Sequence, residues 1–279
     1  MLRKVTLLAA ALFLVGGPAL ANSGAKEPME GAFSFEGPFG RFDQAQLQRG
    51  YKVYREVCAA CHSMNLVAFR NLGDPGGPFF DPKHPNPNDN LVVKALAADT
   101  QVPDIDSETG DAIMRPATPA DHFPHPYPND IAARAGNGGA LPPDQSLLAK
   151  AREGGPAYIA SLLQGYVNPP AGLTVMPGKY YNPYFPGDVT ANWHGAGHPP
   201  HGGFIGMAPP LAPDKVTFDD GTKSTVRQQA EDVSAFLMWA AEPHADARKQ
   251  MGFSVLIFLI LFSGLIYASY RRVWRNESH

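Results

Sequence analysis

The stretch "EVCAACHSM" carries Cys58, Cys61 and His62, and these two cysteines are the only ones in 279 residues. Several chemistries could use such a pair. A redox dithiol belongs in a strand–helix unit, and none surrounds this one. Zinc needs about four ligands and there is no second cysteine pair; the adjacent side chains of Cys61 and His62 also converge poorly on one ion. A disulfide suits an exported chain but leaves His62 idle. Covalent haem attachment uses all three residues. Each thiol adds to one vinyl group to form a thioether, the turn between the cysteines matches the vinyl spacing, and His62 supplies an axial nitrogen to iron. C-x-x-C-H is the sequence signature of that attachment.

The other face of the iron then decides the chemistry, since a closed sixth position favours electron transfer and an open one admits oxygen or other ligands. Met64 is too near His62 in the chain to cross the ring. Met29 lies in the lead-in, Met238 on a helix before the apolar C-terminal run, and Met251 at the start of that run. Met114, Met176 and Met207 remain. "FIGMAPPL" sets Met207 between small residues that let the backbone approach and prolines that limit loop entropy. A methionine in isolation is as readily a core filler, and the histidines of "NWHGAGHPPHGG", His194, His198 and His201, offer imidazoles instead. On the residues alone the sixth ligand stays open.

The elements that must position these groups read as helices separated by coil. Glycine and proline number 28 each, which predicts long irregular connections. "FDQAQLQRGYKVYREVCAACH" has helical spacing, with Asp43 as cap and Leu47, Tyr51, Tyr54 and Cys58 on one face. Shorter helices are predicted over 91–98, over "LPPDQSLLAKAREGG" opened by Pro143 and Asp144, over 156–164, and from a capping box at Thr225 to near Pro243. "VPDIDSETGD" reads as an exposed acidic loop and "FPHPYPND" as extended chain. No run of alternating strands stands out. The expected fold is mainly α: a cytochrome c-type haem domain with long coil insertions, plus one C-terminal transmembrane helix.

Both ends carry targeting signals. Residues 1–21 combine Arg3 and Lys4, an apolar run and an Ala-x-Ala site, the pattern of a cleaved export signal. Residues 251–270 are uncharged, and about 20 residues at ~1.5 Å each cover the ~30 Å hydrocarbon core of a bilayer. The expected organisation is a haem domain over 22–249 on the periplasmic side, an anchor over 250–271 and a cytoplasmic tail over 272–279. The segment 22–250 holds 18 basic against 25 acidic residues. That balance argues against a nucleic-acid partner and for a basic protein partner.

Beyond the C-x-x-C-H motif, the chain resembles the cytochrome c1 family, the haem subunit of the cytochrome bc1 complex (ubiquinol:cytochrome c reductase). The resemblance rests on "FSFEGPFGRFDQAQLQRGYKVYREVCAACHSM", "NGGALPPDQSLLAKAREGGPAYIASLLQGY", "YYNPYFPG", "IGMAPPL", "FDDGT" and "EDVSAFLMWAAEP", in family order. It implies one haem c on Cys58 and Cys61, with His62 as proximal and Met207 as distal ligand. It implies that Arg152 pairs with a haem propionate, where the residues alone suggest a surface arginine at a helix end. It implies that Asn137 and Tyr158 line the haem pocket. It further implies electrons received from the Rieske iron–sulfur protein and passed to a soluble cytochrome c, with cytochrome b beside the anchor in the lipid bilayer and the whole in a dimeric complex of a bacterial inner membrane. The chain departs from the family at about 188–203, where an insertion holds the three clustered histidines and is expected to form a surface loop. Cysteines that form an extra disulfide in some bacterial relatives are missing here, so packing and prolines are expected to hold the Met207 loop. Two other functions make different predictions: a peroxidase-like protein would leave its iron open to carbon monoxide, and a metal sensor would respond through His194, His198 and His201.

Overall fold

The computed structural model describes residues 24–30 and 33–276; the expected export signal lies outside them. Helix α1, Gln44–Val53, starts where Asp43 accepts from the Gln46 amide at 3.0 Å. Its apolar stripe of Leu47, Tyr51 and Val53 is buried. The stripe does not continue as plain α-helix. Residues Tyr54–Cys58 widen into a π turn, in which the Ala59 amide reaches the Tyr54 carbonyl at 2.8 Å. Such a turn inserts one residue into the helical register and is common at functional sites. Tyr54 thereby stays in the core while Cys58 emerges at its edge, packed against the core but only partly buried.

The second principal helix, α6 (Val226–Ala241), opens as expected, with the Thr225 hydroxyl accepting from the Gln228 amide at 3.1 Å. It crosses α1 at Gly50, where a β-carbon would stand 2.1 Å from the Asp232 carbonyl oxygen and 2.7 Å from the Phe236 β-carbon. Only glycine permits that approach. The crossing is also locked by charge. Arg49 donates to Asp232 through Nε (2.8 Å) and Nη2 (3.3 Å), and to Asp220 through Nη1 (2.7 Å). Asp232 is fully buried; burial pushes its carboxyl up, against the opposing pull of Arg49 and Gln228. Around the crossing, the rings of Tyr51, Tyr54, Phe69, Phe123 and Phe236 make a continuous aromatic core.

Between these helices come α2 (Leu91–Ala98), α3 (Asp130–Gly136), α4 (Leu148–Ala151) and α5 (Gly155–Gln164). The expected helix after Pro143 shrinks to the four residues of α4, because Asp144 bonds to the segment after the cysteines instead of capping a helix. The expected acidic loop is a hairpin. Strands β1 (Gln101–Ile105) and β2 (Ala112–Pro116) pair antiparallel, Asp104 opposite Ile113. The acidic residues sit around its turn, and Arg115 joins Asp104 to Asp121. Almost every hairpin side chain faces solvent, so no alternation marks these strands in the sequence. A second pair, β3 (Tyr180–Asn182) with β4 (Gly203–Ile205), closes a small cluster of Leu173, Tyr181 and Val189.

Helix α7, Ala245–Val273, is long and apolar enough to cross a membrane. Its 29 residues at ~1.5 Å each reach about 43 Å, and its apolar side chains from Phe253 to Val273 are exposed.

Candidate functional site

From Cys58 to His62 the backbone closes one tight turn: the amides of Cys61 and His62 both donate to the Cys58 carbonyl, at 3.1 and 2.9 Å. The turn holds the two sulfurs and the imidazole in fixed relation. The thiols are not joined in a disulfide. Burial pushes the Cys58 thiol up to about 12, and the neighbouring Cys61 adds to the shift. The Cys61 sulfur lies 3.9 Å from the Tyr127 hydroxyl. Tyr127, in the proline-rich stretch, was not singled out from the sequence; an aromatic among three prolines was its only mark.

The His62 ring is oriented by a single contact. Nδ1 lies 2.8 Å from the Pro143 carbonyl oxygen. A carbonyl only accepts, so Nδ1 carries the proton and Nε2 keeps its lone pair. Burial lowers the imidazole pKa, which keeps the ring neutral, although Pro143 and Asp144 pull the other way. A neutral imidazole with its far nitrogen unprotonated is able to ligate a metal, and metal-binding histidines commonly have a backbone carbonyl behind the ring. The following residues are fastened by Asp144. Its carboxylate accepts from the Ser63 hydroxyl at 2.9 Å and from the Asn65 amide at 2.8 Å. Burial would raise that carboxyl, but these bonds and those from Ser146 hold it below its usual range.

Met207 arrives from another part of the chain. Strand β4 ends at Ile205, and Gly206 then runs so near residue 140 that a β-carbon on it would stand 3.1 Å from the Ala140 β-carbon. The segment 140–143 therefore touches the Met207 loop at one end and His62 at the other. Lys215 makes a second link: its amine donates to the Pro210 carbonyl at 3.0 Å, and its charge is felt at Cys58. Packing and prolines were the expected restraints on Met207. Hydrogen bonds are added to them: the Tyr166 hydroxyl donates to the Met207 carbonyl at 3.0 Å, and the Tyr166 ring meets Tyr180 of β3 edge-on at 6.5 Å. Of the other methionines considered, Met114 is 60% exposed on β2 and Met176 is 45% exposed in coil.

Arg152 and Tyr158 are brought together. Burial raises the Tyr158 phenol and the Arg152 guanidinium pulls it back. Arg152 is exposed, donates to the Ala151 carbonyl at 3.1 Å, and enters no ion pair among the described residues. Burial raises the Tyr166 phenol, and Tyr158 and Tyr180 add to that shift. Asn137 is placed differently. Its amide donates to the Ala133 carbonyl at 2.7 Å and closes the end of α3.

The histidine-bearing insertion is folded. Trp193 bridges to Leu173, its indole donates to the Gly197 carbonyl at 3.2 Å, and the Tyr181 hydroxyl donates to the His201 carbonyl at 2.6 Å. His194, His198 and His201 are exposed, and among the described residues no three His, Cys, Asp or Glu side chains are grouped to hold a metal. The metal-sensor alternative finds no site there.

Two free thiols on one turn, followed by an imidazole presenting Nε2, are groups of the kind that covalent haem attachment uses. Comparison with known proteins agrees. The sequence model of the Cytochrome C1 family matches residues 33–277. Over 293 residues the chain is 43% identical to "Cytochrome c1" of Rhodospirillum rubrum, covering 99% of this chain and 98% of that protein. It is 46% identical over 229 residues to the mitochondrial "Cytochrome c1, heme protein" of Saccharomyces cerevisiae, covering 82% and 66%. It is 43% identical to "Cytochrome b/c1" of Bradyrhizobium diazoefficiens, covering 98% of this chain but only 39% of that longer protein.

Proposed function

Since the chain belongs to the cytochrome c1 family, the haem subunit of the cytochrome bc1 complex, we propose that it is the membrane-anchored electron carrier of such a complex, taking electrons from the Rieske iron–sulfur protein and handing them to a soluble cytochrome c. The observation that carries this reading is the Cys58–His62 turn with its imidazole held by the Pro143 carbonyl. Bound haem c would supply a one-electron Fe(III)/Fe(II) couple, of high potential where histidine and methionine are the axial pair.

In this reading Cys58 and Cys61 would hold the haem through thioethers, and His62 Nε2 and the Met207 sulfur would be the ligands to its iron. The Pro143 carbonyl fixes the tautomer and orientation of His62. Tyr166 holds the backbone of Met207 in place through its hydrogen bond to the carbonyl, which would keep the thioether available as a ligand to the haem iron. Arg152 would pair with a haem propionate in a charge-assisted contact, and cancelling that negative charge near the iron would favour the reduced metal over an unpaired propionate. Tyr158 shields that contact from water, while Asn137 shapes the pocket from the end of α3. The acidic surface, including the hairpin turn, attracts a basic carrier protein at a distance.

Helix α7 crosses a bacterial inner membrane once, with the haem-site body in the periplasm and the arginines after residue 270 in the cytoplasm. Cytochrome b is its neighbour in the bilayer and the assembly is dimeric; a relative named "Cytochrome b/c1" supports that neighbour. A redox titration of the purified holoprotein, followed by acid–acetone extraction, tests the reading. The pigment stays with the protein and titrates as a single one-electron component. Pigment in the organic phase would refute the attachment.

A further inference from the structure

The loop ahead of α1 is tied to the root of α7 at three points. The Lys249 amine donates to the carbonyls of Phe35 and of Gly40, the latter at 3.1 Å. The Asp246 carboxylate accepts from the Phe42 amide at 3.2 Å. Phe35 is buried and Phe42 packs against the core, yet Phe39 between them is 74% exposed. Its ring meets Phe253 edge-on, with centroids 5.6 Å apart. Phe253 lies two residues inside the uncharged run that begins at Met251, ~3 Å along the helix axis. Phe39 is therefore level with the first turn of that uncharged run. Glu36 and Arg41, on either side of the ring, are exposed as well. An apolar ring at a membrane boundary flanked by charge is the arrangement that interfacial anchors use.

We propose that the 36–41 loop is a second membrane contact, with Phe39 seated in the lipid interface beside α7 and Arg41 at the level of the phosphates. The partner is the lipid surface, and the inference rests on the reading of α7 as a membrane span. Because the loop is bonded to both the core and the helix root, the two contacts together stop the body from swivelling about α7 and fix how the site faces the membrane.

In the holoprotein both native cysteines are consumed in thioethers, so Phe39→Cys introduces the one free thiol for a nitroxide label. The labelled full-length protein is reconstituted in phosphatidylcholine–phosphatidylglycerol vesicles, and the label's collisions with oxygen and with a water-soluble nickel chelate are compared. Labels at Phe262→Cys, within the span, and Ser107→Cys, at the hairpin turn, set the two limits. The oxygen-to-chelate ratio at 39 is expected to exceed that at 107 several-fold and to approach that at 262. A ratio at 39 equal to that at 107, with 262 reading as lipid, overturns the proposal and leaves the span intact. A label at 39 screened from both reagents means that protein covers the loop, and also overturns it. A label at 262 that reads as water removes the span reading and this inference with it.

Discussion

Cys58, Cys61 and His62 are fixed within one turn by bonds to a single carbonyl, whereas Met207 is fixed by Tyr166, by strand β4 and by the Ala140 contact at Gly206. The first group owes its backbone geometry to neighbours in sequence, with only the His62 ring set from afar by Pro143, and the second owes its geometry to neighbours in space. The difference teaches where each can fail. Local hydrogen bonds around the cysteines survive as long as the helix does, while the Met207 loop depends on contacts drawn from three separate stretches of chain. The same contrast explains why the two groups meet the scaffold differently: α1 delivers the cysteines directly, and nothing so rigid delivers the methionine.

Met207→Leu should break the comparison most sharply. The pigment stays covalently bound, but the methionine-to-iron absorption band disappears and the reduced protein binds carbon monoxide; a native spectrum would place the distal ligand elsewhere. Arg49→Ala attacks the scaffold of the sequence-local side. It leaves the Asp232 carboxylate buried without its cation, and breaking a buried pair costs about 3–5 kcal/mol, to be read from the midpoint and slope of urea unfolding. A change near zero would show that the α1–α6 crossing does not rely on charge.

Tyr166→Phe sharpens the distal side alone. Loss of one hydrogen bond is worth about 0.5–1.5 kcal/mol, so methionine release at raised pH becomes roughly 2–12-fold easier while the unfolding midpoint scarcely moves. An unaltered release equilibrium would reduce the bond to the Met207 carbonyl to a bystander. The smallest effect is expected at Asp144. Its carboxyl is held below the usual carboxylate value of about 3.9, so its stabilisation is fully present above that pH and is lost as pH falls through the depressed folded value. Asp144→Asn should therefore flatten the acid limb of the stability profile. An unchanged limb would mean that the bonds to Ser63 and Asn65 contribute nothing at acid pH.

Much of the scaffold was legible in the residues. The caps at Asp43 and Thr225, the helix over Leu91–Ala98 and the membrane-length helix all follow from local chemistry that a side chain imposes on its own backbone. The β1–β2 hairpin was not legible, because its side chains face water on both sides and no period of two is needed. The helix after Pro143 was overread for the opposite reason. Asp144 and Pro143 look like a helix start, but the first is bonded to Ser63 and Asn65 and the second gives its carbonyl to His62. Tyr127 carried no periodic or motif signal, and Tyr166, although it ends one of the family-like segments, had no role assigned to it; their partners, Cys61 and Met207, are distant in the chain.

The sequence by itself determined the C-x-x-C-H turn, since the spacing of Cys58, Cys61 and His62 lies within one helical turn and needs nothing beyond it. It also determined the candidate span, which composition and length define. Tertiary structure alone decided the rest: which nitrogen of His62 is presented, by setting the Pro143 carbonyl against the other; that the histidine insertion packs as a folded lobe and gathers no metal site; and how the Met207 loop is held without a disulfide. Those outcomes depend on hydrogen bonds between segments far apart in the chain, and no local pattern encodes a partner that only folding brings near.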